Sequence, residues 1–238
     1  MPVLGTDISH WQDNPNTTQP IDFIKMKAAG ANFCIFKATQ GIYFKDRVFL
    51  SMWDDASNLI RGAFHFLDWS ADAAKQAAHF VNTIAGHKLD FPPIVDFEYM
   101  LNVPGSATTV AELRSFVNYV ETNTGRIPMI YTSPSYWQEF GSTAIEWRRY
   151  PLWIANYQVE KPKIPAPWLT HTIWQYTSKG NGPTYGVEAQ GIDLDYFNGT
   201  LEDLHTFIDH PSPPPPPPPN LTDQEKLARL WLAHPELH

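Results

Sequence analysis

Three observations place this 238-residue chain in the α/β class, as an irregular, TIM-like barrel. Strand-like and helix-like runs alternate from the start, which favours a parallel sheet. Eight strand-like runs can be counted, the number that closes a small barrel. Beyond about residue 150 the helices stop and Pro- and Gly-rich segments separate the strands, so the last three strands lack covering helices. An open, doubly wound sheet is the competing arrangement, and it too gathers its ligand site at strand ends.

Residues 3–9 read as the first strand. A helix over 21–29 follows, closed by Gly30, a residue suited to the left-handed cap. Residues 32–38 make the second strand, 47–60 the second helix, ending near Gly62, and 63–67 the third strand. Ser70 or Asp72 caps the Ala-rich helix 73–85, which stops before Gly86. The fourth strand, 93–98, has prolines only at its entry, where a missing N–H donor is tolerated. Helix 109–124 carries Val110, Leu113, Phe116, Val117 and Val120 at helical spacing and closes at Gly125. The fifth strand is 128–132, followed by a short helix over 135–140. Residues 151–157, 172–177 and 192–197 are the remaining strands, with loops at 160–168 and 178–189 between them. A final helix over 201–209 packs on the barrel.

The barrel is thus assigned to residues 1–210. Residues 211–219, almost pure proline, predict a stiff polyproline II rod of roughly 28 Å. In the tail, 220–238, Thr222-Asp223-Gln224-Glu225 matches a capping box. Leu227, Leu230, Trp231 and His234 share one face of the helix that follows. Such a tail is suited to docking on the barrel, to self-association, or to serving as the stub of a wall-binding module, in contact with a wall or virion.

A net charge of −8 without a basic stripe argues against nucleic acid as a partner. No apolar run is long enough to span a bilayer, so no integral membrane association is expected. The single cysteine, Cys34, sits in the apolar run Asn32-Phe33-Cys34-Ile35-Phe36, as a buried, inert thiol would. Met1 leads almost directly into a strand, without a basic start or an apolar core, so no secretory signal is visible. Synthesis as a soluble cytosolic protein is the resulting expectation, with any extracellular work needing another exit route.

The chemistry centres on Phe91-Pro92-Pro93-Ile94-Val95-Asp96-Phe97-Glu98-Tyr99. Alternate strand residues share a face, so Asp96 and Glu98 point the same way with Cα atoms roughly 6.6 Å apart. Two like charges there repel, and the pKa of at least one acid rises. Phe97 and Tyr99 flank Glu98 and are placed to limit its solvation. A carboxylic acid kept protonated beside an ionised one is what general acid catalysis requires. Two further strand ends carry acids, Asp7 in the first and Asp193 in the last. In a parallel barrel all these ends open on one rim. A solvated acidic strand end explains any one of these groups but not their convergence. An Mg²⁺ or Ca²⁺ site is the serious alternative for an oxygen-rich cluster. Histidine is sparse, with no H-x-H or H-E-x-x-H, so zinc has little support, and no P-loop, G-x-G-x-x-G or G-x-S-x-G is present.

Eight segments taken in order carry a family resemblance: Gly5-Thr6-Asp7-Ile8-Ser9-His10-Trp11-Gln12, Lys37-Ala38-Thr39-Gln40-Gly41, Gly62-Ala63-Phe64-His65-Phe66, Pro93-Ile94-Val95-Asp96-Phe97-Glu98, Ile130-Tyr131-Thr132, Leu152-Trp153-Ile154-Ala155, Trp174-Gln175-Tyr176 and Ile192-Asp193-Leu194-Asp195-Tyr196-Phe197-Asn198-Gly199. Over about residues 3–199 the chain resembles the glycoside hydrolase family 25 lysozymes, or Chalaropsis-type muramidases. The resemblance implies a (β/α)5(β)3 barrel that cleaves the β-1,4 bond between N-acetylmuramic acid and N-acetylglucosamine, with no cofactor and no metal. It makes Glu98 the general acid, Asp96 its carboxylate partner, and Asp7 and Asp193 supporting acids. Peptidoglycan glycan strands are the implied partner, with Lys37, Phe64, Tyr131, Trp153 and Gln175 as substrate-binding positions.

Lys37 is suited to holding a sugar hydroxyl or carboxylate, or to offsetting the acids. Tyr131 and Trp153 are expected at the rim. Gln175 lies in an alternating run whose inward members the sequence leaves open. His10 and His65 read as structural, and Asp195 as a cap for the turn at Asn198-Gly199. Phe64 stands where the family commonly reads A-Y-H-F, and Gln40 where K-A-T-E-G is frequent, which bears on transition-state stabilisation. A binding-only module predicts loss of an acid, and a chitinase-like barrel predicts D-x-x-D-x-D-x-E, of which only D-x-E is present. The chain looks like a phage endolysin or virion-associated lysin, reaching the wall through a membrane lesion or on a particle, with a bacterial autolysin as the alternative.

Overall fold

The computed structural model describes residues 2–17, 19–99 and 108–209. The segments 211–219 and 220–238 lie outside the described residues. In chain order the elements are β1 (Val3–Ile8), α1 (Phe23–Ala28), β2 (Phe33–Gln40), β3 (Phe44–Lys45), α2 (Arg47–Met52), β4 (Ile60–Phe66), α3 (Ala73–Ile84) and β5 (Ile94–Asp96). They continue with α4 (Val110–Thr124), β6 (Met129–Thr132), α5 (Pro134–Phe140), β7 (Leu152–Ala155), β8 (Ile173–Asn181), β9 (Gly191–Phe197) and α6 (Leu201–Asp209).

Hydrogen bonding runs β1-β9-β8-β7-β6-β5-β4-β2, and a β1–β2 pairing closes the ring at eight strands. A short β3 hairpins onto β2 outside the ring. Helices follow the first five ring strands and none covers β7 or β8, so the expected (β/α)5(β)3 barrel is present. Alternate residues divide the strands into two faces. Phe33, Ile35, Phe64, Ile94, Met129 and Trp153 fill the interior, while Phe36, Val95, Ile130 and Ile154 meet the helix layer. Leu204 of α6 is fully buried, and Phe207 lies against Phe91 and Phe197, so this helix seals the end opposite the acids.

Helix ends follow local chemistry. Asp72, rather than Ser70, caps α3 by accepting from the Lys75 N–H at 2.8 Å. Thr109 and Glu112 form a reciprocal capping box on α4, and Gly125 closes it in the left-handed region at φ 68°.

Three expectations need correction. The last strand is not parallel to the rest: β9 runs antiparallel to both β1 and β8. The first four residues of the loop expected at 178–189 are instead strand, because β8 extends to Asn181 to pair with the start of β9 before Pro183 and Gly186 turn the chain. Helix α2 stops at Met52 and β4 begins at Ile60. After Trp53 come Asp54, Asp55, Ser57 and Asn58, whose short polar side chains compete for the backbone and favour turns. The turn bonds Ser57 N–H to Asp54 O and Leu59 N–H to Ala56 O are the result.

His65 shows how polar groups are buried without exposing water. Its Nδ1 meets Thr39 Oγ1 at 2.7 Å, its Nε2 meets Gln76 Oε1 at 3.0 Å, and its ring stacks on Phe116. Burial holds the imidazole neutral, with its pKa lowered from 6.5 to about 3. The unfolded chain gains a proton below about 6.5 and the folded chain does not, so His65 costs stability as pH falls through that value. Between pH 6.5 and 5 the loss should be about 2 kcal/mol. Denaturant titrations of wild type and His65→Gln should differ in pH slope by this amount, and parallel slopes would refute it.

Candidate active site

The D-x-E strand end is anchored from behind. Phe97 is fully buried and packs edge-on against Tyr136 and Trp137 of α5, with ring centroids 4.8 and 5.9 Å away. That anchor turns the residues on either side, Asp96 and Glu98, into the barrel mouth. Tyr99, expected to shield Glu98, instead donates to Glu139 at 2.6 Å and packs on Tyr136. The groups around Glu98 include Asp96, Asp193, Lys37, Tyr131 and Tyr157.

Antiparallel pairing brings β9 into the site by a different route from the one expected. Its N-terminal part, not its C-terminal end, reaches the rim, and Asp193 falls directly opposite Asp7 in the β1–β9 register. Acids from β1, β5 and β9 therefore meet. Lys37 enters from β2, buried, with Nζ donating to Gln40 Oε1 at 2.6 Å and lying 4.8 Å from the centre of the Phe66 ring. Beneath the charged layer lies an apolar floor that includes Ile35, Phe64, Ile94 and Trp153.

Dry surroundings and mutual repulsion govern protonation here. Burial raises the pKa of Glu98 from 4.5 to about 7, with Asp193 adding to the rise and Lys37 opposing it. Asp193 is raised, chiefly by burial, from 3.8 to about 6. Asp96 is held well above the usual carboxylate range by burial and then by Glu98, against the pull of Lys37. Asp7 is raised by burial, Asp193 and Asp195. Lys37 is lowered by burial, although Asp96, Asp46 and Glu98 favour its charged form. Among the described residues, no three His, Cys, Asp or Glu side chains converge as a metal ion requires.

A hydrogen-bonded chain supports one wall. The hydroxyls of Tyr131 and Tyr157 donate to Gln175 Oε1, Gln175 Nε2 donates to Asp7 Oδ2 at 2.6 Å, and the Trp153 indole donates to Asp195 Oδ1 at 2.8 Å. Trp153, expected at the rim, is 1% exposed and holds Asp195 from the floor. Tyr131, also expected at the rim, is likewise buried, with its hydroxyl donating to Gln175 Oε1 at 2.9 Å. From Lys37 a hollow of about 540 Å³ continues along the rim between His10, Trp11, Gln40, Tyr43 and Asp68. Trp11, Tyr43 and Phe44 line it and stand exposed, and Trp69, between Asp68 and Ser70 of its wall, is exposed as well. A larger hollow of about 890 Å³ lies beside α1 and the 182–185 turn and contains none of the mouth acids.

Comparison with known proteins agrees with this geometry. The family model for glycosyl hydrolases family 25 matches residues 6–185. An N,O-diacetylmuramidase of Arthroderma benhamiae is 33% identical over 86% of this chain and 86% of its own length. Lysozyme M1 of Streptomyces globisporus is 31% identical over 83% of this chain and 68% of its own. The crystal structure of a bacterial lysozyme from Streptomyces coelicolor superposes with a TM-score of 0.76 at 28% identity, covering 89% of this chain and 99% of that one. The chain belongs to glycosyl hydrolase family 25.

In this family 25 glycoside hydrolase, Phe64 and Gln40, the two positions singled out from the sequence, both lie at the mouth. Phe64 lies edge-on to Trp153 in the floor, so a hydroxyl is missing from beneath the mouth. Gln40 binds Lys37 without neutralising it, which leaves the ammonium charge to Asp96 and Glu98. His10, as expected, is structural, with Nδ1 2.7 Å from Asp46 Oδ2. Sequence reasoning missed Tyr157, which was placed at a strand end without a role, and undervalued Asp195. The signal for Asp195 was available, since D-L-D alternates in the same way as D-F-E.

Because the folded pKa of Glu98 is raised, the fold favours its protonated form, and stability is lost as pH rises from about 4.5 through about 7. Glu98→Gln removes that loss. Its melting temperature should match wild type at pH 4 and exceed it at pH 8; an equal difference at both values would contradict the assignment.

Proposed function

We propose that this chain hydrolyses bacterial peptidoglycan, cleaving the β-1,4 bond between N-acetylmuramic acid and N-acetylglucosamine, with Glu98 as general acid and Asp96 as its carboxylate partner. The observation that carries this reading is a glutamic acid poised near neutrality in the mouth, beside a buried Asp96 whose Oδ1 has no protein partner among the described residues. The names borne by its relatives, N,O-diacetylmuramidase and lysozyme, point to the same substrate.

Protonated Glu98 donates to the glycosidic oxygen as the bond to the anomeric carbon breaks. Positive charge then develops on the sugar, close to the negative groups of the mouth. The sugar's own N-acetyl oxygen closes on the anomeric carbon, and the Asp96 carboxyl group accepts the amide N–H and stabilises the cyclised intermediate. Glu98, now a carboxylate, takes a proton from water as it opens that intermediate, so the product keeps its configuration. Asp193 and Lys37 set the charge around Glu98, while Tyr157 and the rim aromatics offer faces and hydroxyls to the sugars. The setting for this reaction is a bacterial wall, reached after release from a host cell or on a phage particle.

Glu98→Gln should lower kcat roughly 10²- to 10⁴-fold, the usual worth of a positioned acid. Turnover should fall as pH rises through about 7, where Glu98 loses its proton. Lys37 holds that value down, so Lys37→Met should move the alkaline limb to higher pH; a shift to lower pH would contradict the charge assignment. Mass spectrometry of digested walls should find new reducing ends on N-acetylmuramic acid, and NMR of the fresh product should show the retained anomer. Reducing ends on N-acetylglucosamine, or net inversion, would overturn the bond and the mechanism respectively.

A further inference from the structure

Asp195 was expected to cap a turn, yet its side chain is fully buried in the barrel. Three strands fix its surroundings: in the sheet it stands between Gly5 of β1 and Gln175 of β8, two residues from the Asp7–Asp193 pair. Trp153 occupies Oδ1 from β7, and Oδ2 has no hydrogen-bond partner among the protein's donors in the described residues. The Asp7 carboxyl, already held by Gln175 Nε2, lies within hydrogen-bonding reach of Asp195. Ionised carboxylates are acceptors only. Two of them in contact in a dry interior repel strongly unless a proton lies between them.

We propose that Asp195 is a positioning residue that shares one proton with Asp7, so that the two acids act as a single monoanionic unit clamped between Trp153 and Gln175. This explains the orphaned oxygen, because the shared proton is its partner. It also explains the chain of donors ending on Asp7: with Gln175 Nε2 on one oxygen and the shared proton holding the carboxyl to Asp195, Asp7 has one orientation beneath the mouth. The unit carries one negative charge instead of two, which limits the repulsion felt by Asp193 directly across the β1–β9 ladder. Of the titratable groups facing the pair, Asp193 is the charged one. Cys34 from β2, Tyr131 from β6, Tyr157 after β7 and Tyr176 from β8 are each pushed further toward their neutral forms by burial.

Asparagine is the diagnostic replacement. Asp195→Asn keeps an acceptor for Trp153 and supplies an N–H donor to an ionised Asp7, so it preserves both the net charge and the hydrogen bonds while deleting the shared proton. Proton release on unfolding at pH 7.5, measured in weakly buffered solution, should therefore fall by one proton relative to wild type. This count does not depend on the proposed reaction. The kinetic arm does rest on the glycosidase reading: Asp195→Ala should lose roughly 10²-fold in kcat with little change in KM, as a misplaced group would. Asp195→Asn should recover most of that loss. Unchanged proton release in Asp195→Asn overturns the shared proton, even if the alanine variant does not fold. An asparagine variant as inactive as a folded alanine variant overturns the positioning role, because Asp195 would then be needed for its own charge. An alanine variant with full kcat and only a lowered melting temperature also overturns it.

Discussion

The structure turns on the cost of placing carboxyl groups together where water is scarce. Acids from β1, β5 and β9 crowd a mouth floored by Ile35, Phe64, Ile94 and Trp153. In such surroundings a lone charge is poorly solvated and like charges reinforce one another's pKa rise. With one lysine to offset them, several of these acids are pushed upward together. A glutamic acid poised near neutrality is the product of burial first and of crowding by Asp193 second, and it is the property a glycosidase needs.

Crowded acids stay in place only if the framework holds them there. Phe97, wedged against Tyr136 and Trp137, fixes the strand end that carries Asp96 and Glu98. Trp153 and Gln175 hold the Asp7 side from below and beside it. Buried polar side chains do the same for the loops. Gln76 meets His65 and bonds the backbone of Asp68 and Ala71, tying the loop that carries the exposed Trp69 to the barrel wall. His10, bonded to Asp46 at the start of α2, holds the turn that presents Trp11. The site is therefore a charged layer on rigid apolar and hydrogen-bonded supports, bordered by exposed aromatic rings.

Much of the barrel was readable from local chemistry. Strand and helix periodicity, with Gly125 and the Thr109/Glu112 pair as punctuation, located α4 to within a residue. The α2 end was misjudged because apolar Trp53, Ala56, Leu59 and Ile60 prolong a helical pattern that the intervening Asp, Ser and Asn residues interrupt. The direction of β9 was misjudged because strand direction leaves no mark on side-chain alternation. Asp7, Asp96, Glu98 and Asp193 were legible as strand-end acids. Tyr157 was not, because its hydroxyl reaches Gln175 on the neighbouring strand β8, a contact that the packing of the loop after β7 decides.

The sequence by itself determined which acids exist, that alternation would turn each of them inward, and that their number exceeded what a stable surface would choose. Those properties depend on residue type and on a two-residue period, and both are local. Tertiary structure alone decided which acids touch, because antiparallel β9 sets Asp193 against Asp7 and brings Asp195 within reach of it. It also decided how dry they are, and hence which keep a proton, since desolvation depends on every chain segment that closes over a group.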